Sequence, residues 1–362
     1  MKIAIIDADL VGREKHRFPN LVSMKLSGYY KDLGNEVILV TEYSKEELKQ
    51  FDKIFLSKVF TETEVPSWVL ELPNIEYGGT GFYYDKAPKL DCQIEHYMPD
   101  YHLYDDWVEQ KLSEGVNKAE LKYYTDYSIG YTSRGCFRQC PFCVNKNYKK
   151  VELHSPLEEF VDPERKKICL LDDNILGSTK WKEIFKELQA TGKPFQYKQG
   201  MDERLLTDEK CEVIFKSKYD GDYIFAFDNI ADYQLIERKL QLLRKYTEQY
   251  PKFYVFCGFD REDKWCGDFW KNDIFDMMRR IKMLMKYHCL PYIMRFNRYN
   301  ESPYQGVYKT VCAWCNQPSF LKKKSLREFG IASGSESARN KYIVDFEKKY
   351  PEFREYMDMK WK

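Results

Sequence analysis

Short apolar runs alternate with stretches of helical period in the first part of the chain. Ile3 to Ile6 forms one run, Val22 to Leu33 carries apolar residues at helical spacing, and Val37 to Val40 forms a second run. This pattern predicts a β-α-β opening. It continues through Ile54 to Leu56 and ends near Ile75 to Tyr77, followed by Gly78-Gly79-Thr80-Gly81. A small parallel sheet flanked by helices is therefore expected over residues 1–81.

From 82 to 125 the periodicity dissolves into a Tyr-, Asp- and His-rich stretch with one helix expected around Trp107 to Leu112, read as a linker packing across two domains. A second alternation follows. Strand-like runs occur at Tyr127 to Tyr131, Ile168 to Leu171, Phe195 to Lys198, Tyr223 to Phe227, Phe253 to Phe256 and Tyr292 to Arg295. Between them lie helical stripes such as Trp181, Ile184, Phe185 and Leu188, or Ile274, Met277, Met278, Ile281, Leu284 and Met285. Their methionines are read as core fillers. Parallel strands need right-handed helical crossovers, so six β-α repeats over 126–300 predict a partial (β/α)6 barrel. A charged, Tyr-rich extension at 301–362 is expected to form a helical cap with a mobile start at Ser333-Gly334-Ser335. The fold class is α/β throughout.

The 362 residues suffice for two domains, and 58 basic against 57 acidic residues leave a net charge of +1. That balance argues against a cationic protein that coats nucleic acid. No apolar run approaches the roughly 18 residues needed to span a bilayer, and no secretion signal precedes the first strand, so a soluble cytoplasmic protein is expected. Its 11 cysteines are then reduced thiols available to metal.

Three of those thiols stand in one short segment, Ser133-Arg134-Gly135-Cys136-Phe137-Arg138-Gln139-Cys140-Pro141-Phe142-Cys143. The spacing is CxxxCxxC, directly after the first barrel strand, where the loops of such barrels build active sites. Closed structural sites take four protein ligands, whereas catalytic sites hold one position back. Completion as a zinc site by Cys312 and Cys315 is disfavoured, because the halves of structural zinc modules usually lie only about 12 to 20 residues apart. Inert buried cysteines rarely cluster among Arg, Gln, Asn and Lys.

The motif, with Phe142 before its third cysteine, resembles the signature of the radical S-adenosylmethionine (radical SAM) superfamily. The resemblance implies a 4Fe-4S cluster on Cys136, Cys140 and Cys143, SAM at the open iron, and a reductant such as flavodoxin or ferredoxin. It further implies reductive cleavage of SAM to a 5′-deoxyadenosyl radical that abstracts hydrogen from a substrate not yet identified. Phe142 matches the family residue that lines the adenine; its other reading is a hydrophobic plug over the cluster.

Strand-end residues supply further candidates. Leu171-Asp172-Asp173-Asn174 stands where the family usually carries a Gly-Gly-Glu-like element for the SAM ammonium, and it resembles the Asp-Asp-Asn form of relatives with a cobalamin-binding-like domain. A carboxylate accepts from an ammonium, so Asp172 and Asp173 keep that chemistry; the alternative is a cap for the helix starting near Thr179. Arg204 suits the SAM carboxylate bidentately, or else neutralises Asp202 or a strand-two carboxylate. Asp228 and Asn229 are placed to hold ribose hydroxyls.

The N-terminal region resembles a Rossmann-like cobalamin-binding domain, whose marks are Asp-x-His-x-x-Gly, Ser-x-Leu and Gly-Gly. Here the positions read Asp7-Ala8-Asp9-Leu10-Val11-Gly12, Ser57-Lys58-Val59 and Gly78-Gly79. Asp9 replaces the histidine, and a hard carboxylate is a poor cobalt ligand. Either cobalamin binds without a protein lower ligand, which would point to radical methylation, or the domain has lost the cofactor and become a substrate platform. Cys312 and Cys315 admit an auxiliary metal (with Cys257, Cys266 or Cys289), a dithiol pair, or a structural role. The rival from another class is a metal-stabilised nucleic-acid-binding protein using Arg134, Arg138, Lys146, Lys149 and Lys150.

Overall fold

The computed structural model describes residues 1–361 as a mixed α/β protein with parallel sheets. Two compact units partition the chain: Met1–Asp173 with Ser178–Phe195, and Asn174–Gly177 with the chain from Gln196 onward.

The first unit opens with β1 (Lys2–Asp7), β2 (Glu36–Val40), β3 (Lys53–Ser57) and β4 (Ile75–Gly78) in the order β2-β1-β3-β4, all parallel. Side chains alternate across a strand, and both faces of β1 are covered, which accounts for its unbroken apolar run. Ile3 and Ile5 enter one core with Met24, Leu26 and Phe55, while Ala4 and Ile6 enter another with Val40, Ile54, Leu56 and Val69. Helix Leu21–Asp32 is started by Asn20, whose side chain accepts from the Ser23 amide.

The stretch after residue 82 is more than a linker. It contains helix Asp105–Ser113, and Tyr101, Leu103, Tyr104, Trp107, Val108 and Tyr124 complete the first of those cores. The Tyr101 hydroxyl donates to the Phe160 carbonyl at 2.6 Å and accepts from the Ile129 amide at 2.8 Å. These bonds tie the stretch to β5 (Tyr127–Gly130). Two short antiparallel strands, β6 (Ser133–Arg134) and β7 (Glu152–Leu153), follow, and then β8 (Lys167–Leu170), parallel to β5. Helix Trp181–Ala190 buries Ile184, Phe185 and Leu188, the stripe expected from the sequence. The strand β9 (Phe195–Tyr197) begins at the unit's last residue.

In the second unit β10 (Ile224–Ala226), β11 (Lys252–Cys257) and β12 (Leu290–Arg295) form a parallel sheet in sequence order. Helices Asp208–Lys216, Tyr233–Leu243 and Gly267–Lys286 alternate with its strands. Ile274, Met277, Met278, Ile281 and Leu284 are fully buried, as a core stripe should be. All six barrel-region strands are thus present at their expected places, and four of the five intervals hold helices; the interval after β5 holds the cysteine segment instead. The extension is helical at Gln305–Cys315, Pro318–Lys323, Leu326–Ala332 and Ala338–Lys349, with a turn at Gly334. Among the described residues no helix is long and apolar enough to cross a membrane.

Candidate functional site

The cysteine loop is rooted before its first cysteine. Its base is closed by the β6–β7 ribbon, in which Ser133 faces Leu153 and Arg134 faces Glu152. The two carboxylates at the end of β8 hold the inner side of this base. Asp172, 3% exposed, accepts from the Thr132 amide (3.1 Å) and hydroxyl (2.6 Å) and from the Ser133 amide and hydroxyl (both 2.7 Å). Burial pushes its carboxyl up, and these bonds oppose the shift. Asp173 accepts from the Gly135 amide at 2.6 Å.

These positions change the reading of the pair. Helix Trp181–Ala190 has Lys180 at its N-cap with no side-chain bond, so capping is not their role. Asp172 spends its oxygens on the loop base and is an internal anchor; Asp173, 22% exposed at its side chain, is the more open carboxylate. Gly135 has φ +97°, and a Cβ there would lie 2.4 Å from the Lys150 carbonyl. Only glycine fits this residue.

The thiols follow on a segment of turns. Cys136, Cys140 and Cys143 are all half-buried, and Gln139 adopts a left-handed φ of +49° between the first two. Backbone amides point at sulfur, Arg138 toward Cys136 at 3.5 Å and Asn145 toward Cys143 at 3.4 Å. The Tyr84 hydroxyl donates to the Phe142 carbonyl at 2.9 Å, and the Asn147 side chain donates to the Asp85 carbonyl at 2.7 Å. Burial raises the Cys143 thiol, and the neighbouring Cys136 adds to the effect. Among the described residues no three His, Cys, Asp or Glu side chains converge as a metal site. The donor set nonetheless fits an iron-sulfur cluster: soft ligands from one loop, with N–H groups directed at them.

Beneath the loop lies a charged network that sequence reading missed. Glu95 meets His154 Nε2 at 3.2 Å, Lys25 at 3.4 Å and Arg134 at 3.9 Å. Arg134 also approaches Asp173 at 3.9 Å and stacks over Tyr131 with its guanidinium carbon 4.0 Å from the ring centre. Burial alone would push the Glu95 carboxyl up, but its bond to His154 and the surrounding positive charges outweigh it and hold it at about 2. Its partners come from distant segments, so no local spacing announces them. The only signal was the unusual density of Tyr, Asp and His in the stretch read as a linker.

The remaining candidates belong to the second unit. Arg204 donates to Asp202 at 2.7 Å, the intramolecular alternative foreseen for it, and also to Asp232 at 3.0 Å, a partner not expected from the sequence. Asp228 accepts from the Phe256 amide at 3.1 Å, and Asn229 caps a short turn through Ala231. Both line a cleft of about 460 Å³ with Phe259, Asp260, Asp273 and Arg280. It lies beyond the carboxyl ends of β10 and β11, where parallel sheets take ligands. Arg280 is 2% exposed and donates to the carbonyls of Phe227 (2.8 Å) and Phe256 (2.9 Å). Burial raises the Asp228 carboxyl, and the Arg280 charge opposes it. Cys312 and Cys315 sit one turn apart on helix Gln305–Cys315; Cys312 accepts from the Asn316 side chain at 3.3 Å and Cys315 is buried.

In the N-terminal sheet of the first unit, Asp9 does not present itself to a cofactor. One carboxylate oxygen accepts from the Val59 amide at 2.7 Å, and the other takes the Thr63 hydroxyl and the Phe60 amide. It is 1% exposed. Asp7 beside it accepts from the Asp9 and Leu10 amides and from the Tyr104 hydroxyl, and burial raises its carboxyl to about 7. These residues do not fit a cobalt ligand.

No protein-family model matches the sequence, and no curated protein matches it. Among solved structures the chain is similar to a radical SAM methyltransferase, TsrM from Kitasatospora setae, determined with cobalamin and a 4Fe-4S cluster. That match has 11% identity and a TM-score of 0.49, covering 81% of this chain and 74% of that one. It is also similar to OxsB, a cobalamin-dependent SAM radical enzyme determined with aqua-cobalamin and SAM, at 12% identity and a TM-score of 0.37. There the match covers 98% of this chain, which spans 56% of the length of OxsB. Residue roles here rest on this chain's own geometry.

Proposed function

We propose that the chain is a radical SAM enzyme. The observation that carries the reading is the CxxxCxxC loop at the end of a parallel strand, its base fixed by Asp172 and Asp173. Cys136, Cys140 and Cys143 hold three irons of a 4Fe-4S cluster and leave the fourth to SAM. When bound and reduced by a flavodoxin- or ferredoxin-like partner, the cluster supplies the electron that cleaves SAM to methionine and a 5′-deoxyadenosyl radical, which abstracts hydrogen from the substrate.

The chain's own residues prepare that site. Asp172 keeps the loop base rigid, and Asp173, the more open carboxylate, accepts from the SAM ammonium. Phe142 shields the adenine side of the cluster from water. Within the second unit, Asp228 and Asn229 line a polar cleft with acceptors suited to hydroxyl groups, and Arg204 orients Asp202 and Asp232.

The test is anaerobic purification, reconstitution with iron and sulfide, and addition of SAM and dithionite. 5′-Deoxyadenosine is expected, and Cys140→Ala should abolish it with the fold intact. Colourless protein containing zinc and forming no product would overturn the proposal in favour of a metal-stabilised nucleic-acid-binding protein.

A further inference from the structure

The N-terminal sheet carries the outline of a cobalamin site, yet its strand ends are packed by the chain itself. Asp9, at the histidine position, is spent on three donors from the loop after β3: Val59, Phe60 and Thr63. That loop is thereby pulled down over the end of β1. Lys58, the middle residue of the Ser-x-Leu-like segment, is 8% exposed. Its ammonium donates to the Thr63 carbonyl at 3.1 Å and lies 4.4 Å from the centre of the Phe82 ring.

The glycines that follow β4 leave no vacancy beside this lysine. Gly79 has φ +106°, and a Cβ there would stand 2.2 Å from the Lys58 carbonyl oxygen. At Gly81 the added atom would meet the Lys58 Cγ at 2.7 Å and the Phe60 carbonyl at 2.8 Å. Backbone bonds seal the contact, from the Lys58 amide to the Gly78 carbonyl and from the Gly81 amide to the Lys58 carbonyl, both 3.0 Å. The room that small residues give is taken by Lys58 and its backbone.

We infer that this domain has closed its cobalamin site from within, with Asp9 converted from a ligand position into a latch and Lys58 filling the space beside Gly79 and Gly81. Opening it for a corrinoid breaks the latch and strands a buried carboxylate and a buried ammonium, a cost the missing cobalt–imidazole bond does not offset. The proposed reaction then proceeds without methyl transfer through cobalt. The inference is independent of the radical SAM reading, since it is tested by cobalamin binding whether or not SAM is cleaved.

The full chain, before and after iron-sulfur reconstitution, is mixed with hydroxocobalamin and desalted. No more corrinoid absorbance than on a non-binding control protein, and no shift of the unfolding midpoint, are expected. Asp9→His, which restores an imidazole, should also gain no binding, because Lys58 still fills the site. Asp9→Asn should lower the midpoint by at least about 2 °C as the latch weakens. Stoichiometric corrinoid retention by the unaltered chain or by Asp9→His would overturn the inference, as would an Asp9→Asn variant as stable as the parent.

Discussion

Asp173, at the end of β8, accepts a hydrogen bond from the Gly135 amide at 2.6 Å, joining that strand's end to the residue directly before the first cysteine of the loop. With Asp172 holding Thr132 and Ser133, the loop's approach to Cys136 is bonded over consecutive residues. The two carboxylates carry unequal loads. Asp172→Ala strands four buried donors and should cost about 3 kcal/mol or more, whereas Asp173→Ala removes one bond to an amide and should cost about 1 kcal/mol. Urea unfolding of the iron-free protein measures both, and equal costs would contradict the anchor role given to Asp172.

Gly135→Ala places a methyl group against the Lys150 carbonyl at a backbone angle L residues rarely adopt. The β6–β7 base should be displaced while the sheets persist. Far-UV circular dichroism should be unchanged, and iron retained after reconstitution and desalting should fall at least about tenfold, a loss worth about 1.4 kcal/mol.

Alanine at Cys136, Cys140 or Cys143 should each remove iron and sulfide from reconstituted protein, because a cluster with two protein ligands is readily lost. Alanine at Cys312, which lies in helix Gln305–Cys315, should leave the iron content unchanged. Elemental analysis of the four variants separates the roles; iron loss in Cys312→Ala would assign that thiol to metal.

Two carboxyls shifted in opposite directions give opposite pH dependences. Glu95 is held at about 2, below the ordinary value, so its contribution to stability is full above about 4.5 and is lost as pH falls toward 2. Asp7 is raised to about 7, so the folded state binds the proton more tightly, and stability falls as pH rises from about 4 to about 7. The deficit of Glu95→Gln relative to the parent should vanish at low pH. The parent should lose stability relative to Asp7→Asn between about pH 4 and about pH 7, by up to about 1.4 kcal/mol per pH unit. Urea midpoints measured from about pH 2 to about pH 8 test both signs.

Local pattern made much of the fold legible. Apolar periodicity located β1 to β5 and β8 to β12, because a strand buried on both faces and a helix buried on one leave different periods. The cysteine trio was equally plain as a pattern, since CxxxCxxC is a short spacing within one loop. The sequence also showed that Asp9 is an unsuitable cobalt ligand, a matter of donor hardness alone.

What only the tertiary structure decided is where each polar side chain spends its bonds. Asp172 and Asp173 look equivalent in sequence, yet one is saturated by Thr132 and Ser133 and the other holds Gly135. Glu95 gains its charge balance from Lys25, Arg134 and His154, which no local motif connects. In sequence Lys58 is only the middle residue of Ser57-Lys58-Val59, and its burial beneath the turn after β4 is set by the fold. Hydrogen bonds and ion pairs are short-ranged in space but indifferent to separation along the chain, so such partnerships are set by the fold rather than by residue spacing.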